Sequence, residues 1–345
     1  MMLSRRAVMI GSASLAAAIV LGVVAFLLLG RSSPARLGRS SPARPSGTPW
    51  TSAPAPRQLR SPFTGKPVKA LGPVLAVKID NIVFARPQTG LTRADIVYVI
   101  PVEGGLSRFL AVFSSHFPPV IGPVRSARKD DLQLLAQFGT PAFAFSGAQP
   151  QLLPVVERAR IVNLYSGVVG GYYRDLSRVA PYNLYARSRR LRAEAAHASK
   201  ARNIGFRFGP APAGGRARAA YSVSYPAASF SFRWAPRQAR WLARMDGARA
   251  ASTEGAQLGA PTIVIQYTKV GTSKYLEQGR VRPPFARTVG SGRAVVLRGG
   301  RSYSGRWSRP LANGGTTFTT AKGQPMTFAR GQVWVVLAFA PGSTG

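Results

Sequence analysis

The sequence predicts a layered α/β domain followed by a smaller, mainly antiparallel β domain. Strand-like and helical segments alternate between about residues 61 and 205, and short strand-like segments separated by Gly-rich turns follow from 206 to 345. A hydrophobic fraction of 46% over 345 residues is ordinary for a folded protein. Residues 1–30 and 31–60 differ in composition from both stretches and are predicted to be a membrane segment and a linker.

The first stretch combines buried strands with short helices. Runs of apolar, β-branched and aromatic residues predict strands at 74–80, 94–100, 107–115 and 142–145. Helical spacing predicts helices at 126–138, with Ser126 as N-cap, and at 152–158. A basic surface helix is predicted at 188–202, with His197 as a solvated residue.

The second stretch is rich in strands. Aromatic and small residues alternate at 221–234, and apolar strands are predicted at 262–269, 293–298, 316–320 and 332–339. The segment 209–219 has turn chemistry and is predicted to be a surface loop near the domain boundary.

The N-terminal segment predicts membrane insertion. Residues 7–30 are uncharged, and a helix of that length, at about 1.5 Å per residue, crosses a hydrocarbon core of roughly 30 Å. A cleaved export signal is the alternative to a retained signal-anchor. We favour the anchor because the apolar run is long and no clear cleavage site follows it. Arginines just past the span favour a cytoplasmic body by the positive-inside rule, but a long following domain can translocate regardless.

Residues 31–60 are predicted to be an extended tether. Pro, Ser, Gly and Arg dominate this segment, and GRSSPAR occurs at 30–36 and again at 38–44. Such a composition cannot bury a core. Its arginines either keep the tether soluble or also contact an anionic membrane or polymer.

Composition excludes several classes of function. The 47 Lys and Arg residues against 11 Asp and Glu give a formal charge of +36, with only three of the acids beyond residue 206. The absence of Cys excludes disulfides, thiolate zinc sites, cysteine nucleophiles and a lipid-bearing cysteine. His116 and His197 are the only histidines, which leaves little for a histidine-rich metal site. We therefore expect no cofactor and no metal, and we lean against an enzyme without excluding one.

Charged residues at strand ends and at a helix start make 79–131 the candidate site. Strand ends and helix N-termini are common ligand positions in α/β sheets, and arginines bind carboxylate or phosphate in a bidentate manner. The alternative is that these residues only neutralise each other in buried ion networks. The candidate anion-binding residues are Asp80, Arg86, Asp95, Glu103, Arg108, Arg125 and Arg128.

The same segment resembles the YerB-like family, a bacterial extracytoplasmic family of unknown function (domain of unknown function 3048). The similarity lies in Ile79-Asp80-Asn81, Ala85-Arg86-Pro87-Gln88, Ala94-Asp95-Ile96-Val97-Tyr98, Val102-Glu103-Gly104-Gly105, Gly122-Pro123-Val124-Arg125-Ser126-Ala127-Arg128 and Ala180-Pro181-Tyr182-Asn183-Leu184-Tyr185. Looser matches continue to about residue 337. The Gly-Pro-Val-Arg-Ser-Ala-Arg run is the most specific of these.

This resemblance implies an N-terminal α/β domain, a β-rich C-terminal domain and a location outside the membrane. Three positions depart from the family pattern. The lipid-bearing cysteine is absent, so the anchor would be the helix itself. Val99 stands where the family usually has an acidic residue, and Tyr182 where it usually has a histidine. Any proton transfer by those two groups in relatives is therefore in doubt here.

Three functional hypotheses remain. We favour a membrane-anchored, extracytoplasmic protein that binds an anionic cell-wall polymer or an envelope protein, because a polycation attracts acidic polymers. The second is an envelope enzyme acting on phosphorylated or glycosidic wall precursors, with a weak resemblance to LytR-CpsA-Psr transferases. In that case Asp80, Asp95 and Glu103 would hold a divalent cation or act as a base. The third is nucleic-acid binding, which requires a cytoplasmic body; no specific nucleic acid is expected otherwise.

Overall fold

A computed structural model describes residues 58–276 and 281–343. The predicted membrane segment at 7–30, and the linker except for its last three residues, lie outside these ranges and stay predictions. Within the ranges that are described, no helix is long and apolar enough to cross a bilayer.

Strands dominate the described residues, and helices are few. The strands of the first half are β1 (Leu75–Asp80), β2 (Ile96–Pro101), β3 (Ser107–Phe113), β4 (Val120–Ile121), β5 (Ala142–Phe145), β6 (Val162–Tyr165), β7 (Tyr172–Arg174) and β8 (Leu184–Arg187). Those of the second half are β9 (Arg207–Phe208), β10 (Arg216–Ala217), β11 (Ala220–Tyr225), β12 (Ala228–Ala235), β13 (Arg240–Met245), β14 (Ala248–Arg249), β15 (Gly259–Ala260), β16 (Thr262–Thr268), β17 (Val270–Thr272), β18 (Pro284–Ala286), β19 (Gly290–Arg298), β20 (Arg301–Arg309), β21 (Thr317–Thr320), β22 (Thr327–Phe328) and β23 (Val333–Phe339). The α-helices are α1 (Lys129–Leu135), α2 (Leu153–Glu157) and α3 (Ser188–Glu194).

One mixed sheet of eleven strands contains strands from both halves of the sequence. Its order is β10-β20-β19-β16-β23-β2-β3-β1-β5-β6, and β21 pairs with β20. Strand β23 lies between β2 and β16 and runs parallel to both. The sheet therefore joins strands from both sides of the predicted domain boundary at 205/206, and the described residues form one compact unit.

The two faces of this sheet are covered differently. A second, five-stranded sheet (β11 to β15) packs over one face, where Phe109 of β3 lies 6.1 Å from Phe230 between ring centroids. Helix α1 packs on the other face through Leu134 and Leu135. Because side chains alternate along a strand, the face under α1 is also the face that bears Lys78 and Asp80.

The strands predicted for the first stretch, and the helix predicted at 152–158 (α2), are confirmed with small shifts at their ends, but the other two helices are shorter than predicted. The predicted helix at 126–138 has its regular α-helical part only at Lys129–Leu135, and the helix at 188–202 ends at Glu194. Ser126 is not the N-cap, because Arg125 N–H donates to the Lys78 carbonyl and Ala127 N–H to the Gly147 carbonyl. These bonds hold the chain extended beside the strand ends. The layered α/β expectation is corrected to a large mixed sheet with short helices.

The second stretch is strand-rich, as predicted. The 221–234 segment forms the β11–β12 hairpin, and the four apolar runs correspond to β16, β19, β21 and β23. Segment 209–219 is largely exposed, with Arg216 and Ala217 added as a short edge strand of the main sheet. His197 is exposed, in a turn that follows α3.

Candidate functional site

The register of the main sheet places Asp80 directly opposite Arg108. Asp80 is the last residue of β1 and Arg108 the second of β3, and they are paired across the antiparallel ladder. Cross-strand partners share one face of a sheet, so both side chains lie on the α1 side. The Arg108 Nε and Asp80 Oδ1 atoms are 3.8 Å apart, and both side chains are more than nine-tenths buried.

Glu103 joins this pair from the turn between β2 and β3. Gly104 and Gly105 have φ angles of +70° and +68°, which favour glycine and let the chain reverse within three residues. The Glu103 carboxylate accepts hydrogen bonds from Arg108 Nη2 at 2.9 Å and from Arg128 Nε at 3.0 Å. Burial alone would raise the pKa of Glu103. The Arg128 hydrogen bond and the charges of Arg108 and Arg128 outweigh it and lower the pKa to about 2.

Arg125 approaches from an extended segment that crosses the ends of β1 and β5. Its N–H donates to the Lys78 carbonyl, and its carbonyl accepts from Ser146 N–H. The Arg125 Nε atom lies 2.7 Å from Asp80 Oδ2, and its guanidinium lies 5.5 Å from the ring centroid of Tyr182. About a quarter of the Arg125 side chain is exposed, which is more than for Arg108 or Arg128.

A small cavity of about 130 Å³ opens between these groups. Its lining includes Asp80, Glu103, Arg108, Arg125 and Tyr182. Arg108 Nη1 is buried and has no hydrogen-bond partner among the described residues. Burial and the neighbouring Arg128 charge lower the pKa of Arg108, while Glu103 and Asp80 oppose that shift. A buried donor without an acceptor is costly, so the Arg108 guanidinium in the cavity lining favours an acidic group beside it.

A larger cleft of about 450 Å³ lies on the other side of Arg125. Strands β1, β5 and β6 are parallel neighbours, and their carboxyl ends lie at one edge of the sheet. Ser146 and Ser166 directly follow β5 and β6 and line this cleft together with Ser126 and Arg174. Ligands commonly bind beyond the carboxyl ends of parallel strands. The cleft therefore places hydroxyl groups and an arginine beside the smaller cavity.

A buried charged pair underlies the site. Lys78 Nζ donates to Asp131 Oδ1 at 2.7 Å, and both side chains are fully buried. Asp131 also accepts the Arg128 N–H at 2.7 Å, which fixes the start of α1 next to Glu103. The neighbouring Asp130 accepts the Ala286 N–H at 2.9 Å. Burial raises the pKa of Asp130 to about 8 against that hydrogen bond, and the Asp131 charge adds to the rise.

Three of the seven predicted residues do not line the cavity: Arg86, Asp95 and Arg128, of which Arg128 is linked to it through its hydrogen bond to Glu103. Arg86 lies nearby, but it donates to the Asn81 carbonyl at 2.7 Å and pairs with Asp246 at 2.8 Å. Asp95 lies at the opposite edge of the sheet, where its carboxylate accepts the N–H groups of Ser114 and Ser115. Burial raises the pKa of Asp95, and these hydrogen bonds oppose the rise.

The position of Asp95 corrects the predicted cation site. Asp80 ends its strand, whereas Asp95 precedes its own, and β1 and β2 are both antiparallel to β3. The two carboxylates therefore lie at opposite ends of the sheet. Among residues 58–276 and 281–343, no three His, Cys, Asp or Glu side chains form a group that could hold a metal ion.

Sequence reasoning missed Lys78, Asp131, Arg174 and Tyr182 as members of the site. Lys78 sits inside an apolar strand, and a lone lysine in such a run is a signal that a buried partner exists. The serines after β5 and β6 could have been found from the rule on parallel strand ends, once those strands were predicted to be parallel. Nothing in the sequence indicates which carboxylate lies near Lys78.

Known proteins match both halves of the chain. The family described as "Protein of unknown function (DUF3048) N-terminal domain" matches residues 63–202, and the corresponding "C-terminal domain" matches 221–335. A Bacillus subtilis (strain 168) protein named "Putative lipoprotein YerB" is 47% identical over 77 residues, which cover 21% of this chain and 23% of that protein. A crystal structure of the YerB protein from Bacillus subtilis has a TM-score of 0.70 at 20% identity, over 81% of this chain and 97% of that one. The structural match establishes a shared fold.

Proposed function

This chain belongs to the YerB-like family of unknown function (DUF3048), and we propose that it binds an anionic group of cell-wall material between Arg108 and Arg125. The observation that carries the proposal is that Arg108, one of the residues lining the 130 Å³ cavity, has a buried Nη1 atom without an acceptor among the described residues. A phosphate or carboxylate oxygen would supply that acceptor, and hydrogen bonds between charged partners are the stronger ones.

The size of the cavity supports a single acidic group. Its volume of about 130 Å³ is less than a third of the roughly 450 Å³ of the neighbouring cleft, so a compact phosphate or carboxylate group suits it. Arg125 borders both the cavity and the larger cleft, so an anion held by Arg125 would extend its remaining atoms toward Ser126, Ser146 and Ser166. A sugar or polyol suits that hydroxyl-lined cleft.

The location of the protein belongs to the same proposal. One relative is named a lipoprotein, and this chain lacks cysteine, so the apolar segment at 7–30 would take the place of a lipid anchor. In this arrangement the tether at 31–60 would let the folded body reach wall material from the outer face of the membrane. An envelope protein presenting an acidic group is the alternative ligand.

Titration of the detergent-solubilised full chain with glycerol 3-phosphate, galacturonate and neutral glycerol tests this function by calorimetry. Arg125→Gln should weaken binding of an acidic probe at least tenfold, because it removes the accessible guanidinium. Arg158→Gln is the matched control, since Arg158 is exposed and borders neither cavity. Equal affinity for all three probes, or an unchanged affinity in Arg125→Gln, would overturn the proposal.

A further inference from the structure

The second half of the chain carries an open sheet face made of arginine and serine. Alternate residues of β20 share a face, and Ser302, Ser304, Arg306 and Ser308 are its outward members, while Tyr303, Gly305, Trp307 and Arg309 are buried. Arg293 of β19 lies directly opposite Arg306, and Arg216 of β10 directly opposite Ser302. We call these seven outward residues the arginine–serine face: Arg216, Arg293, Ser302, Ser304, Arg306, Ser308 and Thr319, which pairs with Arg306.

A cleft of about 420 Å³ lies on this face. Arg216, Arg218, Arg293, Tyr221 and two serines line it, and no carboxylate does. The Arg293 guanidinium lies 4.1 Å from the ring centroid of Tyr267, whose hydroxyl is 3.0 Å from that of Tyr221. Stacking on the ring fixes the direction of the Arg293 side chain before any ligand arrives.

The arginines of this face have no carboxylate partners in the described part of the chain. No salt bridge there involves Arg216, Arg218, Arg293 or Arg306. The acids Asp246 and Glu254 of the same half instead contact the first half, through Arg86 and the Gly90 N–H. Like charges directly opposite on neighbouring strands destabilise a sheet, and Arg293 and Arg306 are such a pair.

We propose that the arginine–serine face binds a linear anionic polymer whose charges repeat along its length. Outward residues repeat about every 6.6 Å along a strand and about 4.8 Å across strands, so guanidinium and hydroxyl groups alternate over the surface. Guanidinium groups bind phosphate or carboxylate oxygens, and the serines bind hydroxyl groups of the polymer. Neutralisation of the Arg293 and Arg306 charges removes their mutual repulsion.

A polymer without bases fits this face better than a single-stranded nucleic acid. Binding of single strands depends on exposed aromatic rings on which bases stack. Here Arg293 covers Tyr267, and Trp307 is buried beneath the face. Tyr221, the single aromatic residue in the described lining of the cleft, offers one partly buried ring rather than a row of stacking rings. This second site does not depend on the Arg108 cavity, because the two sites share no lining residue.

The test measures binding of the detergent-solubilised full chain to long-chain polyphosphate, poly-glutamate and a 20-nucleotide single-stranded DNA by fluorescence anisotropy. Arg293→Gln/Arg306→Gln should weaken polyphosphate binding at least tenfold. It should also reduce the slope of log affinity against log salt by about 1 to 2, as expected for two lost charge contacts. Arg158→Gln/Arg189→Gln removes the same charge from exposed positions outside the face and should change affinity less than twofold.

The arms of this experiment separate the ligand classes. If both acidic polymers bind with the same dependence on these arginines, the face recognises the spacing of negative charges. If polyphosphate alone binds, the face recognises phosphate groups. The loss caused by Arg293→Gln/Arg306→Gln should be equally large in an Arg125→Gln background, which keeps the two sites distinguishable. Equal losses in the face variant and the control, or tighter binding of DNA than of polyphosphate, would overturn the inference.

Discussion

Lys78 Nζ lies 2.7 Å from Asp131 Oδ1, and this contact joins the central strand β1 to the first turn of α1 with both side chains fully buried. Burial lowers the pKa of Lys78, and the Asp131 charge and hydrogen bond oppose that shift. Because Asp131 also accepts the Arg128 N–H, the pair positions the residue that binds Glu103. A buried ion pair between Lys78 and Asp131 therefore supports the candidate site from beneath.

Lys78→Met should lower the free energy of unfolding by about 3–5 kcal/mol, because the Asp131 carboxylate would stay buried without its counter-charge. Lys78→Met/Asp131→Leu removes both charges and should recover a large part of that loss. Urea unfolding measures the free energy of unfolding of the single and the double variant. The control Lys200→Met, at an exposed position, should have a free energy of unfolding within about 0.5 kcal/mol of the parent. A double variant as unstable as the single one would contradict this account.

Loss of the proton from the Asp130 carboxyl should lower the free energy of unfolding as the pH rises. Its pKa is raised by burial to about 8 in the folded protein, against about 3.9 in an unfolded chain. The folded state therefore binds the extra proton between about pH 4 and 8, and the free energy of unfolding falls across that window by at most about 1.4 kcal/mol per pH unit. Asp130→Asn, whose amide oxygen can still accept the Ala286 N–H, should lose this decline.

Urea unfolding at pH 5, 6, 7 and 8 checks the Asp130 prediction. The difference between parent and Asp130→Asn isolates this carboxyl from other titrating groups. Parallel profiles over the whole range would show that Asp130 is ionised in the folded protein.

Arg309→Met should destabilise the contact between α1 and the second half of the chain. This fully buried arginine donates to the carbonyls of Gln133 at 2.6 Å and Gly314 at 3.1 Å, and also to that of Ala312. Methionine would leave these carbonyls without a donor, at a cost of about 3 kcal/mol or more. The exposed neighbour Arg306→Met is the control, and thermal unfolding that shifts equally in both variants would refute the prediction.

Protease treatment of intact, wall-stripped cells should release the folded body as a fragment containing residues 61–345, while the 7–30 segment stays in the membrane fraction. The long apolar run is the physical reason for retention. A cytoplasmic marker protein must remain uncut in the same sample. Protection of the body would contradict export, and a mature N-terminus near residue 31 would contradict the anchor.

Strand positions were predictable because their signal is local. The runs at 74–80 and 332–339 are mostly apolar, and they form the buried strands β1 and β23. The helix at 126–138 was predicted too long, because its first residues form hydrogen bonds to Lys78 and Gly147, which are distant in sequence. Local spacing contains no information on such partners.

The candidate site was predictable only in part for the same reason. Asp80, Glu103, Arg108, Arg125 and Arg128 do meet, since strand ends and turns at one sheet edge gather charged groups. Asp95 was misplaced because its distance from Asp80 depends on strand direction, which requires the sheet order. The Lys78–Asp131 pair spans 53 positions in the sequence, and no pattern relates its members.

The place of β23 between β2 and β16 has a consequence for biosynthesis. While a ribosome is still translating the segment before residue 333, β2 and β16 each expose a row of backbone groups that only β23 will cover. Neither half can complete its sheet during synthesis, so the central pairing forms only after translation of this last strand. A chain exported across a membrane from its N-terminus would also have to wait for β23. Until β23 pairs, it would depend on chaperones that cover its open strand edges.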